Sequence, residues 1–342
     1  MSATADISVL IVAHKSRATI GRCLDALAGQ SLAPREILLL ENGSPEAEAI
    51  EADALPDTVR FVSSKDNLGF AAGNNRLAEI AQGRWLALLN PDAFPHPGWI
   101  ASLDEATRRY PDIRLFGSTQ LAADKPGIID GAGDVYHAAG LAYRAGYLRS
   151  DRFLPDEGVV FGPCGAAAMI ERELFAELAG FDEDFFCYNE DVDLAYRARL
   201  LGERAVQLRT AVVDHLGYGS SGRRSDFATY YGVRNRLWVF LKNTPGWLLW
   251  VLAPFHAFAT LALGIAAIGT GLGGVFWRAI GDGLKAWPDI MRARRRVQQG
   301  RRVKPSQIAD AMCWDSRMLL TRLPDVRPYD GVSRSPAAAR AR

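Results

Sequence analysis

The chain has 342 residues, with 40 Lys and Arg against 39 Asp and Glu. That length exceeds the usual size of one hydrophobic core and predicts a main domain with an appendage, while the balanced charge gives no footprint for nucleic acid. Its four cysteines, Cys23, Cys164, Cys187 and Cys313, lack CxxC spacing and fit neither a zinc site nor a disulfide framework, so they read as reduced thiols of a cytosolic protein.

No basic stretch precedes the first apolar run, Ile7 to Ala13, which reads as a strand rather than a signal peptide. Ile20, Leu24 and Leu27 share one face of a helix over Thr19–Ala28. Strands are predicted at Glu36–Glu41, Val59–Val62, Trp85–Leu89 and Ile113–Phe116, with helices at Asn75–Ala81 and Ile100–Tyr110. This alternation implies a parallel sheet covered by helices on both faces. Residues 120–160 read as loops and short β pieces, and Val159–Ile170 as one strand interrupted by small residues. Helices at Glu171–Leu178 and Asp191–Leu201 follow, then short strands at Ala205–Leu208 and Ala211–Val213. From Tyr230 the pattern turns to long helices, and beyond Pro324 to a Pro-, Arg- and Ser-rich tail of disordered character.

In an open α/β sheet, ligands bind at the carboxyl ends of the strands. Four polar clusters fall there: Ala13-His14-Lys15-Ser16, Glu41-Asn42-Gly43-Ser44, Asp66-Asn67-Leu68-Gly69 running on to Gly73-Asn74-Asn75, and Asn90-Pro91-Asp92. Turn preference explains any one of them; four on one rim point to a ligand. Neither GxGxxG nor a P-loop lysine motif is present, which disfavours a dinucleotide or ATP site. The stretch "FDEDFFCYNEDVDLAYRARLLG" (181–202) sets aromatic residues beside Glu190, Asp191 and Asp193. Acids in a first turn favour the helix dipole, with Asn189 as the cap; crowded carboxylates also raise one another's pKa and suit general-base work. His215 follows a strand-like run, where a structural histidine is common, and with Asp92 it offers an imidazole and a carboxylate, a donor set for Mn²⁺ or Mg²⁺.

These blocks together resemble the family 2 inverting glycosyltransferases with a GT-A fold, over about Ile7 to Lys242. "NGS", "NLGFAAGNN", "LLNPDA", "GFDEDFF" and "EDVDL" stand in the order of its rhamnosyltransferase-like branch. The resemblance implies an α/β fold with a Rossmann-like mixed sheet, to which the residues beyond it add a C-terminal helical, membrane-associating extension. It implies transfer of a sugar such as rhamnose from a dTDP- or UDP-linked donor to a polysaccharide or lipid-linked acceptor, with Mn²⁺ or Mg²⁺ and no nucleic acid. By position it makes Asp191 the catalytic base, with Glu190 and Asp193 as possible assistants. Ala13, His14, Glu41, Asn42, Asn67, Gly69, Asn74, Asn90 and Asp92 fall on the donor side; Asp92 and His215 on the metal; Gly165, Tyr188 and Glu190 on the acceptor side. Glu41 stands where the family usually has aspartate against the base, and Asn90 replaces the first aspartate of its Asp-x-Asp motif. Arg234 and Asn235 match an "RN" pair of unassigned role.

The expected organisation is a catalytic domain over 1–232, a helical membrane-associating region over 233–304 and a tail over 305–342. Between Asn243 and Trp277 there is no Asp, Glu, Lys or Arg, and seven basic residues follow between Arg292 and Lys304. The uncharged stretch is long enough for one span. Pro254, Gly264, Gly269, Gly271, Gly273 and Gly274 interrupt it, so a bent or re-entrant pair of interfacial helices on the cytoplasmic face of the inner membrane is expected; a buried helical hairpin is the alternative. Two other functions compete. A nucleotidyltransferase would share the rim, but "VAHKSRATIGRC" lacks its glycine-rich basic signature. A catalytically dead membrane-bound scaffold would not need Asp92, Asp191 and His215 together.

Overall fold

A computed structural model describes residues 4–217 and 225–331. Its first half is built as the alternation predicts: β1 (Thr4–Ala13), α1 (Arg17–Ala28), β2 (Ala33–Asn42), β3 (Val59–Ser64), α2 (Gly69–Ile80), β4 (Trp85–Leu89), β5 (Ala93–Pro95) and α3 (Trp99–Arg109). There follow β6 (Leu115–Ala122), β7 (Ile129–Gly131), β8 (Asp134–His137), β9 (Leu141–Arg144), β10 (Gly158–Val160), β11 (Ala167–Glu171), α4 (Arg172–Glu177), α5 (Glu190–Leu201) and β12 (Ala205–His215). The main sheet runs β10-β12-β6-β11-β4-β1-β2-β3. Side chains alternate along β1: Ile7, Val9 and Ile11 pack with α1 and α3, whereas Leu10 packs with α2, α4 and α5. Both faces of the sheet are therefore covered, as the unbroken apolar strands require.

The sheet is mixed, as the resemblance implies and the alternation alone does not, because β11 pairs antiparallel with both β4 and β6. Two strand expectations change. Val159–Ile170 is two strands: β10 lies at an edge on β12 and β11 in the middle of the sheet. The Pro163–Ala166 turn between them, rich in small residues, carries the chain from one to the other. The two short strands after 204 are one, β12, whose register against β6 shifts between Leu208 and Val212. In addition, α2 starts at Gly69, so most of "NLGFAAGNN" is helix rather than rim loop.

The C-terminal helices are α6 (Asp226–Asn243), α7 (Gly246–Gly269), α8 (Gly273–Lys285), α9 (Trp287–Gln299), α10 (Pro305–Ala311) and α11 (Arg317–Thr321). Pro254 does not break α7; the chain turns at Thr270–Leu272 and α8 folds back on α6 and α7. A third core joins Tyr136 of β8, Phe161, Tyr196 of α5, Phe240 of α6, Leu248 and Leu252 of α7 and Ile308 of α10, crossing the expected boundaries at 232 and 304. Residues 305–331 are folded rather than a loose tail. Cys313 bonds to β8, Gly146 donates to the Arg322 carbonyl, and Arg327 exchanges two backbone hydrogen bonds with Val159. Residues 332–342, also read as tail, lie outside the described residues.

Candidate active site

Strand pairing brings Asp92 to His215. Asp92 immediately precedes β5, which runs antiparallel to β12 and sets Ala93 opposite His215. The Leu216 N–H donates to the Asp92 carbonyl at 3.1 Å, and Asp92 Oδ1 lies 3.3 Å from His215 Nε2. Asn90 Nδ2 is 3.4 Å from the same nitrogen. On its other side the ring meets Asp130 of β7, with Nδ1 2.8 Å from Oδ2. Burial would lower the imidazole pKa, but hydrogen bonds and charge from Asp130 and Asp92 outweigh it and lift the pKa to about 9. A carboxylate on Nδ1 leaves Nε2 as the outward ligand atom, the arrangement found where histidine binds a metal. Among the described residues no three His, Cys, Asp or Glu side chains form a metal cluster. Two ligands are nevertheless enough for Mn²⁺ or Mg²⁺ when phosphate oxygens and water complete the shell, so the residues fit such a cation.

Asp191 stands on the same rim. The Asn90 N–H donates to the Ala166 carbonyl, and the neighbouring Gly165 N–H donates to Asp191 Oδ2 at 2.8 Å. Val192 N–H donates to Oδ1 at 2.8 Å. A side chain at Gly165 would come within 3.1 Å of Asp191, so glycine keeps the carboxylate accessible at its post. Burial pushes the Asp191 carboxyl up; the Gly165 and Val192 N–H groups and the Arg144 guanidinium restrain the rise. Glu190 is buried beside it, its Oε2 without a partner, and burial together with the charge of Asp191 pushes its carboxyl well up. Asp193 goes elsewhere. It is fully buried between Arg197, Lys242 and Asn243, which overcome burial and hold it below the usual carboxylate range. That placement suits a structural ion network and removes Asp193 from the assisting role.

The loop before Asp191 is strained. Phe186, Tyr188 and Asn189 all have positive φ (63°, 69° and 64°), and Cys187 N–H bonds back to the Phe185 carbonyl in a three-residue γ-turn. Asn189 does not cap α5 through its side chain; it donates to the Gly232 carbonyl. The "RN" pair now has a physical role. Asn235 Nδ2 lies 2.7–2.9 Å from the carbonyls of Phe185, Cys187 and Tyr188, and Arg234 donates to those of Asp184 and Phe185.

The donor-side residues divide. His14 Nδ1 meets the Asn42 carbonyl at 3.0 Å, just beyond Ala13 at the end of β1. Asn42 bonds to Asn67 Oδ1 and the Gly69 carbonyl and accepts from Leu68 N–H. Gly69 has φ 79°, and a Cβ there would strike the Phe186 carbonyl at 2.4 Å. That carbonyl already accepts from Phe70 and Ala71, so the start of α2 is docked on the acceptor-side loop rather than open to a diphosphate. Glu41 is also committed: its two oxygens accept from Ser44 N–H and Ile50 N–H, each at 2.9 Å. Asn74 is 1% exposed and bonds back to the Phe70 carbonyl. Glu41 and Asn74 thus build the rim rather than line it.

Sequence reasoning missed Asp130, Asp134 and Arg144, which stand on the short strands β7, β8 and β9. Asp134 is buried and faces Arg144 across the β8–β9 hairpin. Burial, with the charge of Asp191, pushes its carboxyl well up, and Arg144 opposes the rise. A signal was present: Asp130 and Asp134 are the only acids between Ile128 and Arg144.

A glycosyl transferase family 2 model matches residues 8–179, half of the chain. The chain belongs to glycosyl transferase family 2. It is a glycosyltransferase with a GT-A sheet that takes its sugar from a nucleotide donor. It is 28% identical over 282 residues to the N-acetylglucosaminyl-diphospho-decaprenol L-rhamnosyltransferase of Mycobacterium tuberculosis, covering 72% of this chain and 89% of that one. It is 24% identical to the low-salt glycan biosynthesis hexosyltransferase Agl10 of Haloferax volcanii, over 68% and 74% of the two chains. Among solved structures it resembles GalNAc-T7 with UDP, GalNAc and Mn²⁺, at a TM-score of 0.54 and 17% identity, over 69% of this chain and 47% of that one. That likeness is one of fold.

Proposed function

We propose that this family member is an inverting transferase that moves a sugar from a dTDP- or UDP-linked donor to a lipid-linked glycan at the cytoplasmic face of the inner membrane. One observation carries the reading: Asp92 with His215, and Asp191, sit on one rim, joined through Asn90, Ala166 and Gly165. Asp191 takes the proton from the acceptor hydroxyl as that oxygen attacks the anomeric carbon. The bond from that carbon to the diphosphate breaks on the opposite side, so configuration inverts and no covalent intermediate forms. Asp92 and His215 would hold a divalent cation, which supplies positive charge for the departing diphosphate. Glu190, Gly165 and Tyr188 border the acceptor, and His14, Asn42, Asn67 and Asn90 the donor. Rhamnose is the donor sugar this reading favours, because the mycobacterial relative is named an L-rhamnosyltransferase.

Membrane association is supported by α7. Trp250 is 78% exposed and Phe258 74%, and Trp247, Phe255, Leu261, Ile265 and Ile268 extend the apolar face. The helix is long and apolar enough to cross a bilayer. Yet α6 before it and α8 and α9 after it pack together, an arrangement that crossing would pull apart, so lying in the interface fits better. Exposed Trp277 and Trp287 add aromatic anchors, and the basic run of α9 attracts anionic lipid.

Nucleoside diphosphate release from dTDP- and UDP-linked sugars, with a prenyl-diphosphate-linked N-acetylglucosamine as acceptor, tests the reading. Release with Mn²⁺, lost on chelation and strongly weakened in Asp92→Ala, is expected. No release from any donor overturns the function, and metal-independent turnover overturns the cation site. For the membrane, the full chain should sediment with phosphatidylglycerol vesicles, and Trp250→Ser with Phe258→Ser should release most of it. Truncation near Lys242 is a poor test. Arg294 and Gln298 of α9 bond to the last carbonyls of α6, so the cut would damage the catalytic part as well.

A further inference from the structure

Between the two halves of the site stands a cation that neither half names. Arg144 ends β9, directly opposite Asp134 of β8. Its guanidinium contacts Asp130 Oδ2, the atom that also meets His215 Nδ1. The Tyr147 ring lies 4.7 Å beneath it, and its methylene stem runs beside Gly131 of β7, where a Cβ would sit 3.5 Å away. Stem and head are thus both seated. Its charge reaches Asp134 and Asp191 as well.

We propose that Arg144 is a positioning residue that couples the cation side of the centre to the base side, setting the His215 ring through Asp130 while offsetting the negative charge around Asp191. The proposal rests on Asp191 as base and on Asp92 with His215 as cation ligands. Among the described residues, the groups around Asp191 leave this task to Arg144. Asp134 on β8 and Glu190 on α5 are carboxyls, and Cys164, buried, and Cys187, half-buried, are thiols that the negative charge of Asp191 helps keep protonated. Opposing cations hold a carboxylate down by about one to three pH units, and groups that orient a metal-binding histidine typically matter about 10–100-fold. One guanidinium in contact with Asp130 and paired across the hairpin with Asp134, its charge felt at Asp191, bears on both.

The test uses the full chain with Arg144→Gln, Arg144→Lys and Asp130→Asn. Mn²⁺ binding is measured by calorimetry in the presence of dTDP or UDP, kcat is followed against pH, and melting temperatures record folding. Arg144→Gln should weaken Mn²⁺ binding about tenfold and move the acid limb of kcat up by about one pH unit, since the base then stays protonated to higher pH. Asp130→Asn should reproduce the loss in Mn²⁺ binding and leave the acid limb near its place. Arg144→Lys should return the acid limb and only part of the Mn²⁺ affinity, because an ammonium keeps the charge but not the planar donor fork. A merely structural Arg144 would lower the melting temperature while the folded protein kept wild-type Mn²⁺ affinity and acid limb; that outcome overturns the proposal. If the wild type itself binds no Mn²⁺ with nucleotide, or loses no acid limb in Asp191→Asn, the underlying site reading fails instead.

Discussion

The donor rim and the acceptor rim of this enzyme are built on opposite principles. On the donor rim, Glu41, Asn42 and Asn67 satisfy one another and the nearby backbone N–H groups. Strain there is slight, with Lys15 the one non-glycine residue of positive φ between 4 and 92. Across the sheet, the acceptor rim buries Asp134 and Glu190 beside the half-buried Asp191, with one Glu190 oxygen unpaired among the described residues. It also strings three positive-φ residues into the approach to the base. Such backbone costs about 1–3 kcal/mol per residue and persists only when the surroundings over-determine it. Here the surroundings are α6, through Arg234 and Asn235. The rim assigned to binding is locally self-consistent; the rim proposed to move a proton is held from outside.

The sharpest way to break this contrast is Asp191→Asn. The amide keeps the shape but cannot take a proton, so kcat should fall by about 10²–10⁴-fold while calorimetry shows nucleotide binding nearly intact. Near-normal turnover would shift the base to Glu190 or Asp134, the other carboxyls at that spot, since Asp193 is locked in its ion network.

The same contrast explains what could be read from sequence. The donor half follows from local pattern: apolar strands, helical spacing and polar residues at strand ends place Asp92 and the asparagine cluster on the rim. The roles of Asp191 and His215 are proposals; their places were legible because their blocks keep recognisable neighbours. Asp130, Asp134 and Arg144 were not, because they sit on strands of three or four residues within a glycine-rich stretch, too short for any periodicity to register. Glu41 and Asn74 were over-read for the opposite reason. Polar residues at a strand end bind either ligand or backbone, and sequence does not say which. The path of α7 through Pro254 was likewise settled by tertiary context: its exposed face and the packing of α8 against it outweigh one lost N–H.

A middle-sized effect is expected at Asn235. Replacing it with alanine removes two N–H donors shared among the carbonyls of Phe185, Cys187 and Tyr188 in the strained loop, at a cost of about 1–3 kcal/mol. Denaturant melts should report that loss. In the fraction still folded, kcat should fall with little change in donor KM, because the loop leads directly into Asp191 and meets the start of α2 through the Phe186 carbonyl. A drop in stability with kcat untouched would mean that the strain serves the fold alone.

The smallest expected effect separates a rim residue from a ligand. Glu41 occupies the position where the family usually contacts the base, yet both its oxygens accept backbone N–H bonds that fold the 44–50 loop. In Glu41→Gln one oxygen acceptor remains, and the amide nitrogen is turned against an N–H that needs an acceptor. Charge-assisted bonds are stronger than neutral ones, so the loss should be about 1–2 kcal/mol of stability, read as a lower melting temperature. Selectivity is the deciding measurement. If Glu41 only shapes the loop, the ratio of kcat/KM for dTDP- over UDP-linked donors should stay within about twofold, which is less than 0.5 kcal/mol of discrimination. A tenfold change in that ratio would mean that the carboxylate leaves the loop to meet the base when donor binds, and the donor rim would then be no more self-contained than the acceptor rim opposite.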